Sequence, residues 1–184
     1  MLYTGKGDKG TTTLFGCDQR VSKSSAIAEA LGSLDECNSY LGLAKVSLAK
    51  TNVLLPNGLS YTAYLHRIQE DLFVIQAELA GTPMSTSEER VRDIEKVIAE
   101  IEKILPPIRS FAIPGGTEAS AILDVARTLA RRAERRVTAV AEEGSRQVGE
   151  WTKAYLNRLS SILYAFARHA NHASGITDSK PSYK

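Results

Sequence analysis

Between Ala119 and Arg136 the chain reads ASAILDVARTLARRAERR, with no glycine or proline. A helix satisfies every backbone donor and acceptor of such a run locally, and its residues favour that form. At about 100° per residue, Ile122, Val125, Ala126, Leu129, Ala133, Val137 and Val140 fall on one apolar face. Arg127, Arg131 and Glu134 share the opposite face, flanked by Arg135. Arg132 and Arg136 lie at the edge of the apolar stripe. Guanidinium groups that close to a packed face are rarely left alone, so they are expected to meet carboxylates or another chain.

Arg and Glu on a helix commonly make a solvated face laced by i,i+4 ion pairs, and a nucleic-acid patch is a second reading. Against both stand the nearly pure arginine charge, suited to forked phosphate or carboxylate contacts, and the Pro-Gly-Gly segment that leads into the helix. The net charge of +2 is too small to imply a general polyanion binder, so any anion site must be local. With 184 residues and 43% apolar content, one soluble domain with a real core is expected. No apolar run approaches the ~20 residues of a membrane span, and the opening MLYTGKGDKG, with no apolar or Arg/Ser-rich leader pattern, is expected to encode neither export nor import. Two cysteines, Cys17 and Cys37, cannot form a disulfide framework or metal cluster alone, so reduced thiols in the cytoplasm are expected. His169 and His172, at i,i+3 spacing near a helix end, could touch a metal but read first as an exposed pair near the C-terminus.

Five helical periodicities account for most of the chain. The first runs from about Ser25 to Leu48, with Ile27, Ala30, Leu31, Leu34, Leu41 and Leu48 inward, Asn38 in the stripe and Asp35 beside it. The second, about Leu59 to Ala80, buries Tyr61, Leu65, Ile68, Leu72, Ile75 and Leu79 and stops at Gly81-Thr82-Pro83. Ser85 to Glu88 fits a capping box opening a third helix to about Ile104, with Val91, Ile94, Val97, Ile98 and Ile101 inward. Thr117 caps the arginine helix, which ends near Gly144. The fifth, about Gln147 to Ala173, buries Leu156, Leu159, Leu163, Phe166, Ala167 and Ala170, while Asn157, Ser161, Tyr164 and Arg168 form a polar stripe. The tail after Gly175 reads as frayed. A short extended piece is expected at Thr12–Phe15. No repeat or βαβ alternation occurs, and five long helices on short connections argue an all-α bundle.

Residues Thr4 to Thr13, TGKGDKGTTT, have the makings of a phosphate cradle: glycines let amides converge on an anion, and Lys and Thr add donors. The segment is not a Walker A loop, because Thr11 stands where that motif needs Lys. From spacing alone, a flexible glycine-rich terminus remains equally open.

Taken together, YTGKGDKGTTTLFG, VSKSSAIAEALGSLDECNSYLGLA, FAIPGG with ARTLARRAERRV, and YLNRLSSILYAFAR resemble, in this order, the PduO-type ATP:cob(I)alamin adenosyltransferases over nearly the whole chain. The resemblance implies a left-handed up-and-down five-helix bundle that forms a homotrimer. Its single domain, 1–184, divides into an ATP loop (1–23), the bundle (24–174) and a tail (175–184). ATP would sit at the subunit interface under the loop. By motif match, Thr4, Gly5, Lys6, Gly7, Thr12, Thr13 and Lys23 would contact the triphosphate. Arg131, Arg132, Ala133, Glu134 and Arg135 would form the nucleotide-binding part of the arginine helix, and Asn157 would meet the nucleoside. Asp35 and Arg127 match a pair joining neighbouring subunits. Phe111 matches the aromatic facing the lower side of the corrin, whereas a loop phenylalanine by itself is more often a buried anchor. Gly5 stands where the family often has Lys or Arg, Lys6 where it often has Thr, and Ser161 where an Asp is common.

The implied reaction moves the 5′-deoxyadenosyl group from ATP to cob(I)alamin and releases triphosphate. Cobalt is the nucleophile, which suits a chain with no convincing Ser, Cys or His triad. Lysines, loop amides, Arg131 and Mg²⁺ carried on the phosphates would stabilise the departing charge, with Glu134 either holding Arg131 or coordinating through water. A cob(II)alamin reductase and an adenosylcobalamin-dependent client are implied partners; a nucleic acid or a membrane is not.

Overall fold

The computed structural model describes residues 2–14, 20–51 and 53–183, so Phe15 and Cys17 lie outside the described residues. Five helices follow a small hairpin: β1 (Thr11–Thr13), β2 (Arg20–Ser22), α1 (Ala26–Leu48), α2 (Tyr61–Ala80), α3 (Glu88–Glu102), α4 (Glu118–Glu142) and α5 (Glu150–Ala173). Each of the first four helices opens on a hydroxyl cap. The side chains of Ser25, Ser60, Ser87 and Thr117 accept from the backbone N–H three residues on. For α3 the cap is therefore Ser87 rather than Ser85, so Glu88 opens the helix instead of closing a capping box. At α5 the cap is Gly149, which has no side-chain oxygen to offer; Glu78 of α2 ties this start down instead, its Oε1 accepting from the Gly149 amide at 2.7 Å and its other oxygen from the Thr152 hydroxyl at 2.5 Å.

α4 lies at the centre, packed on α1 and α5; α2 packs on α1 and α3 on α5. Long side chains close the remaining side. Tyr155 donates to Asp71 at 2.8 Å, Tyr64 donates to Asp93 at 3.0 Å, and the rings of Tyr61 and Tyr64 stand edge-on to Phe166. The inward residues expected for α2 and α5 are buried throughout. No helix among the described residues is long and apolar enough to cross a membrane.

The stripe of the arginine helix differs from expectation. Val125 is 43% exposed, while Leu123 and Ala130 are fully buried. Sandwiched between two helices, α4 turns inward the line Leu123, Ala126, Ala130, Ala133, Val137 and Val140, where alanines let neighbours approach closely. Counting bulk instead of closeness shifts the stripe toward Val125. Arg132 and Arg136 do meet carboxylates, those of Glu36 and Glu29 on α1. His169 is buried, unlike its neighbour His172, because its ring faces α2 and shares a hydrogen bond with the Tyr61 hydroxyl. The tail is also tied down, for reasons that belong to the site.

Candidate active site

The glycine-rich segment folds as two successive turns. Asp8 N–H donates to the Gly5 carbonyl at 3.2 Å and Gly10 N–H to the Gly7 carbonyl at 3.1 Å. Gly5 and Gly10 hold φ of 66° and 76°, a region costly for side chains with a Cβ. β1 and β2 then pair antiparallel in the register Thr11↔Ser22, Thr12↔Val21, Thr13↔Arg20. This returns Lys23 to the loop, where its amide donates to the Gly10 carbonyl at 2.9 Å. Its ammonium lies only 3.0 Å from where a Cβ on Gly7 would stand. Thus Gly5, Lys6, Gly7 and Lys23 come together, and Thr4 Oγ1 accepts from the Lys6 amide at 3.4 Å. The β period separates Thr12 from Thr13. Thr13 Oγ1 accepts from Arg20 at 3.3 Å, with Thr11 on the same face. Thr12, the edge of Thr13 and the exposed Asp35 line a groove floored by α1 and α2. The extended piece read at Thr12–Phe15 is thus one strand of a hairpin. Its partner strand carries too little apolar alternation to be legible.

On α4, Arg131 and Arg135 project into solvent. Glu134 does not hold Arg131; it accepts from Asn157 Nδ2 of α5 at 2.9 Å. Asn157 Oδ1 in turn accepts from Arg158 at 2.6 Å, and Arg158 donates to Glu95 at 2.8 Å. The structure therefore joins Glu134 and Asn157 into one surface network beside Arg131. Ala133 is fully buried and presents only backbone. Arg132 is engaged by Glu36. Arg127 pairs with Asp124 at 3.1 Å and covers the Tyr164 ring at 5.9 Å; within this chain it does not pair with Asp35. Among the described residues no hydrogen bond or ion pair links the N-terminal loop to α4.

Phe111 is 80% exposed, so it is no buried anchor. Its loop borders a cavity of about 400 Å³ shared with Tyr164, Arg168, His172, Ile176 and Asp178. Three residues that the sequence reading left without a role hold this loop. Arg168 Nε donates to Asp178 and its Nη2 to the Pro106 carbonyl, both at 2.9 Å. Ile113 N–H donates to the Ser179 carbonyl at 2.8 Å, so the tail is pinned rather than frayed. Asn171, 6% exposed, accepts from the Thr117 amide at 3.1 Å and donates to the Gly115 carbonyl at 2.9 Å. The signal for Arg168 was its place in the polar stripe; Asn171 resembled any polar residue near a helix end.

Among the described residues, the one cysteine is not poised as a nucleophile. Burial, then the Glu36 charge, pushes the Cys37 thiol up to about 12, far from the thiolate that attack requires. The arrangement instead offers amides and cations for an anion at one end and an open aromatic beside a cavity at another.

These features define an all-α bundle that presents groups suited to binding an anion and an aromatic beside a cavity. A family model described as cobalamin adenosyltransferase matches residues 2–170. The corrinoid adenosyltransferase of Bacillus subtilis (strain 168) is 39% identical over 181 residues, covering 96% of this chain and 90% of that relative. The corrinoid adenosyltransferase PduO of Citrobacter freundii is 42% identical over 178 residues, covering 93% of this chain and 50% of that relative, so this chain spans about half of its length. A solved structure of a variant PduO-type ATP:corrinoid adenosyltransferase from Lactobacillus reuteri, complexed with cobalamin and ATP, superposes with a TM-score of 0.87 at 29% identity, covering 99% of both chains. The chain belongs to the cobalamin adenosyltransferase family.

Proposed function

We infer that this protein is an ATP:corrinoid adenosyltransferase, in which Co(I) of cob(I)alamin attacks C5′ of ATP and triphosphate leaves. The observation that carries this reading is the loop: in a chain of this family, the Lys23 ammonium stands over Gly7 between two left-handed glycines. The loop amides, Lys6 and Lys23 would hold the triphosphate and stabilise its growing charge as it departs. Mg²⁺ would reach the site on phosphate oxygens and supply further neutralisation. Thr12 and Thr13 both border the groove and would complete the loop's donors, Thr13 while also accepting from Arg20. Arg131 and Arg135 would meet the phosphates from α4, with Arg132 and Ala133 shaping that stretch, and Glu134 would orient Asn157 toward the nucleoside.

Phe111 would lie against the lower corrin face and exclude the lower ligand and water. Losing that axial donor makes Co(II) easier to reduce.

Among the described residues no hydrogen bond or ion pair joins the loop to α4 within one chain, which supports a site shared by neighbouring protomers of a homotrimer, with Asp35 of one facing Arg127 of the next. Such head-to-tail contacts close a ring. A cytoplasmic setting, a cob(II)alamin reductase and an adenosylcobalamin-dependent client complete the reading.

The test is to mix the protein with MgATP and chemically reduced cobalamin and follow the Co(I) spectrum. Conversion to alkylcobalamin is expected, and its absence overturns the reading. Arg131→Ala should lower turnover on the order of 10²–10³-fold with the assembly intact; wild-type kinetics would remove Arg131 from the site.

A further inference from the structure

Arg20, on β2, directs its guanidinium back across the hairpin into the loop. Nη2 donates to the Lys6 carbonyl at 2.5 Å and to the Thr11 carbonyl at 2.9 Å. Nε and Nη2 reach Thr11 Oγ1 at 2.9 and 2.7 Å, and Nη1 reaches Thr13 Oγ1 at 3.3 Å. One planar fork therefore spans both the glycine turn and the strand that follows it. A lysine, with a single ammonium, could not reach all these acceptors from one position.

The consequence is directional. No peptide bond among the described residues is cis. In a trans peptide the carbonyl and the next N–H point opposite ways. Because Arg20 holds the Lys6 carbonyl, the Gly7 amide is turned to the other side of the loop. Lys23 reaches Gly7 as well, its ammonium 3.0 Å from a Cβ position there.

We propose that Arg20 is a positioning residue for the triphosphate: it fixes the loop carbonyls on its own side so that the Gly7 amide and Thr12 are presented to the anion. This rests on the adenosyltransferase reading and adds to it a residue that acts through the loop and not on cobalt or C5′.

The experiment compares Arg20→Ala and Arg20→Lys with the wild type, measuring KM for MgATP and for cob(I)alamin separately. Because several hydrogen bonds that aim a charge-binding loop are lost, KM for MgATP should rise roughly tenfold or more in both variants. KM for cobalamin should stay within about twofold, because the Phe111 cavity is built from other segments. Millimolar guanidinium ion should restore part of the MgATP affinity of Arg20→Ala and leave Arg20→Lys unchanged. Wild-type KM for MgATP in Arg20→Ala, or full function in Arg20→Lys, overturns the proposal. So does a parallel rise in both KM values with a lowered melting temperature, which marks a general folding role. If the wild type itself binds no MgATP, the adenosyltransferase reading fails first and this inference with it.

Discussion

His169 shows how one residue couples burial to pH. Its ring lies between α5 and α2, hydrogen-bonded to the Tyr61 hydroxyl, with His172 one turn away. Burial, and then the His172 charge, holds its pKa below the usual 6.5. The unfolded chain therefore takes up a proton in a range where the native one does not. Stability from this residue is complete above the unfolded value of 6.5 and is lost as pH falls from there through the native pKa. Between about pH 7.5 and 5.5, the wild type should lose more melting temperature than His169→Gln. Parallel curves for the two proteins would show that His169 carries none of the pH dependence. Asp71 has the opposite sense: burial raises its pKa, so its contribution declines as pH rises from 3.8. Comparing the two proteins cancels that common slope.

Among the elements, the turn before α4 carries the sharpest constraint. Gly116 adopts φ of 117°, and a Cβ there would stand 2.6 Å from Asn171 Oδ1. That amide cannot step aside cheaply, because it also holds the Thr117 backbone, Gly115 and Asp178. Gly116→Ala should cost about 1–3 kcal/mol in chemical denaturation, from strain and from lost contacts to the α4 cap; an unchanged midpoint would contradict this. The same turn marks the limit of what sequence reveals. Pro114-Gly115-Gly116 and the cap Thr117 announced the helix start, because turn and cap chemistry are local. Asn171 and Asp178 gave no comparable signal, since their roles arise only when α5 and the tail return beside that turn. The helices were legible for the same reason that the rotation of α4 was not. Periodicity reports that a face is apolar, whereas which neighbours press on it sets its centre at Ala126 and Ala130. Likewise Gly5, Gly7 and Gly10 flagged the loop, while Arg20, between a segment outside the described residues and a two-residue ladder step, acquires meaning only through pairing with Thr13.

At the scale of the whole molecule, no hydrogen bond or ion pair among the described residues links the loop to α4 within one chain, so a nucleotide held by both is expected to bridge protomers. That arrangement can be tested without seeing the assembly. Lys23→Ala should disable the loop half of a site, and Arg131→Ala the helix half, each leaving the other half intact. Alone, each variant should be nearly inactive if the site is shared, since every site in its assembly then lacks one half. Co-expressed or unfolded and refolded together in equal amounts, the variants should recover activity, because some sites then pair the good loop of one with the good helix of the other. With random assembly, the chance that a given site draws both intact halves is about one half times one half, so about a quarter of wild-type turnover is expected. A site built within a single chain predicts no recovery at any mixing ratio, since every chain then carries one broken half. Steady-state adenosylation by the mixed protein, with assembly state checked by sedimentation, therefore distinguishes a shared site from an internal one.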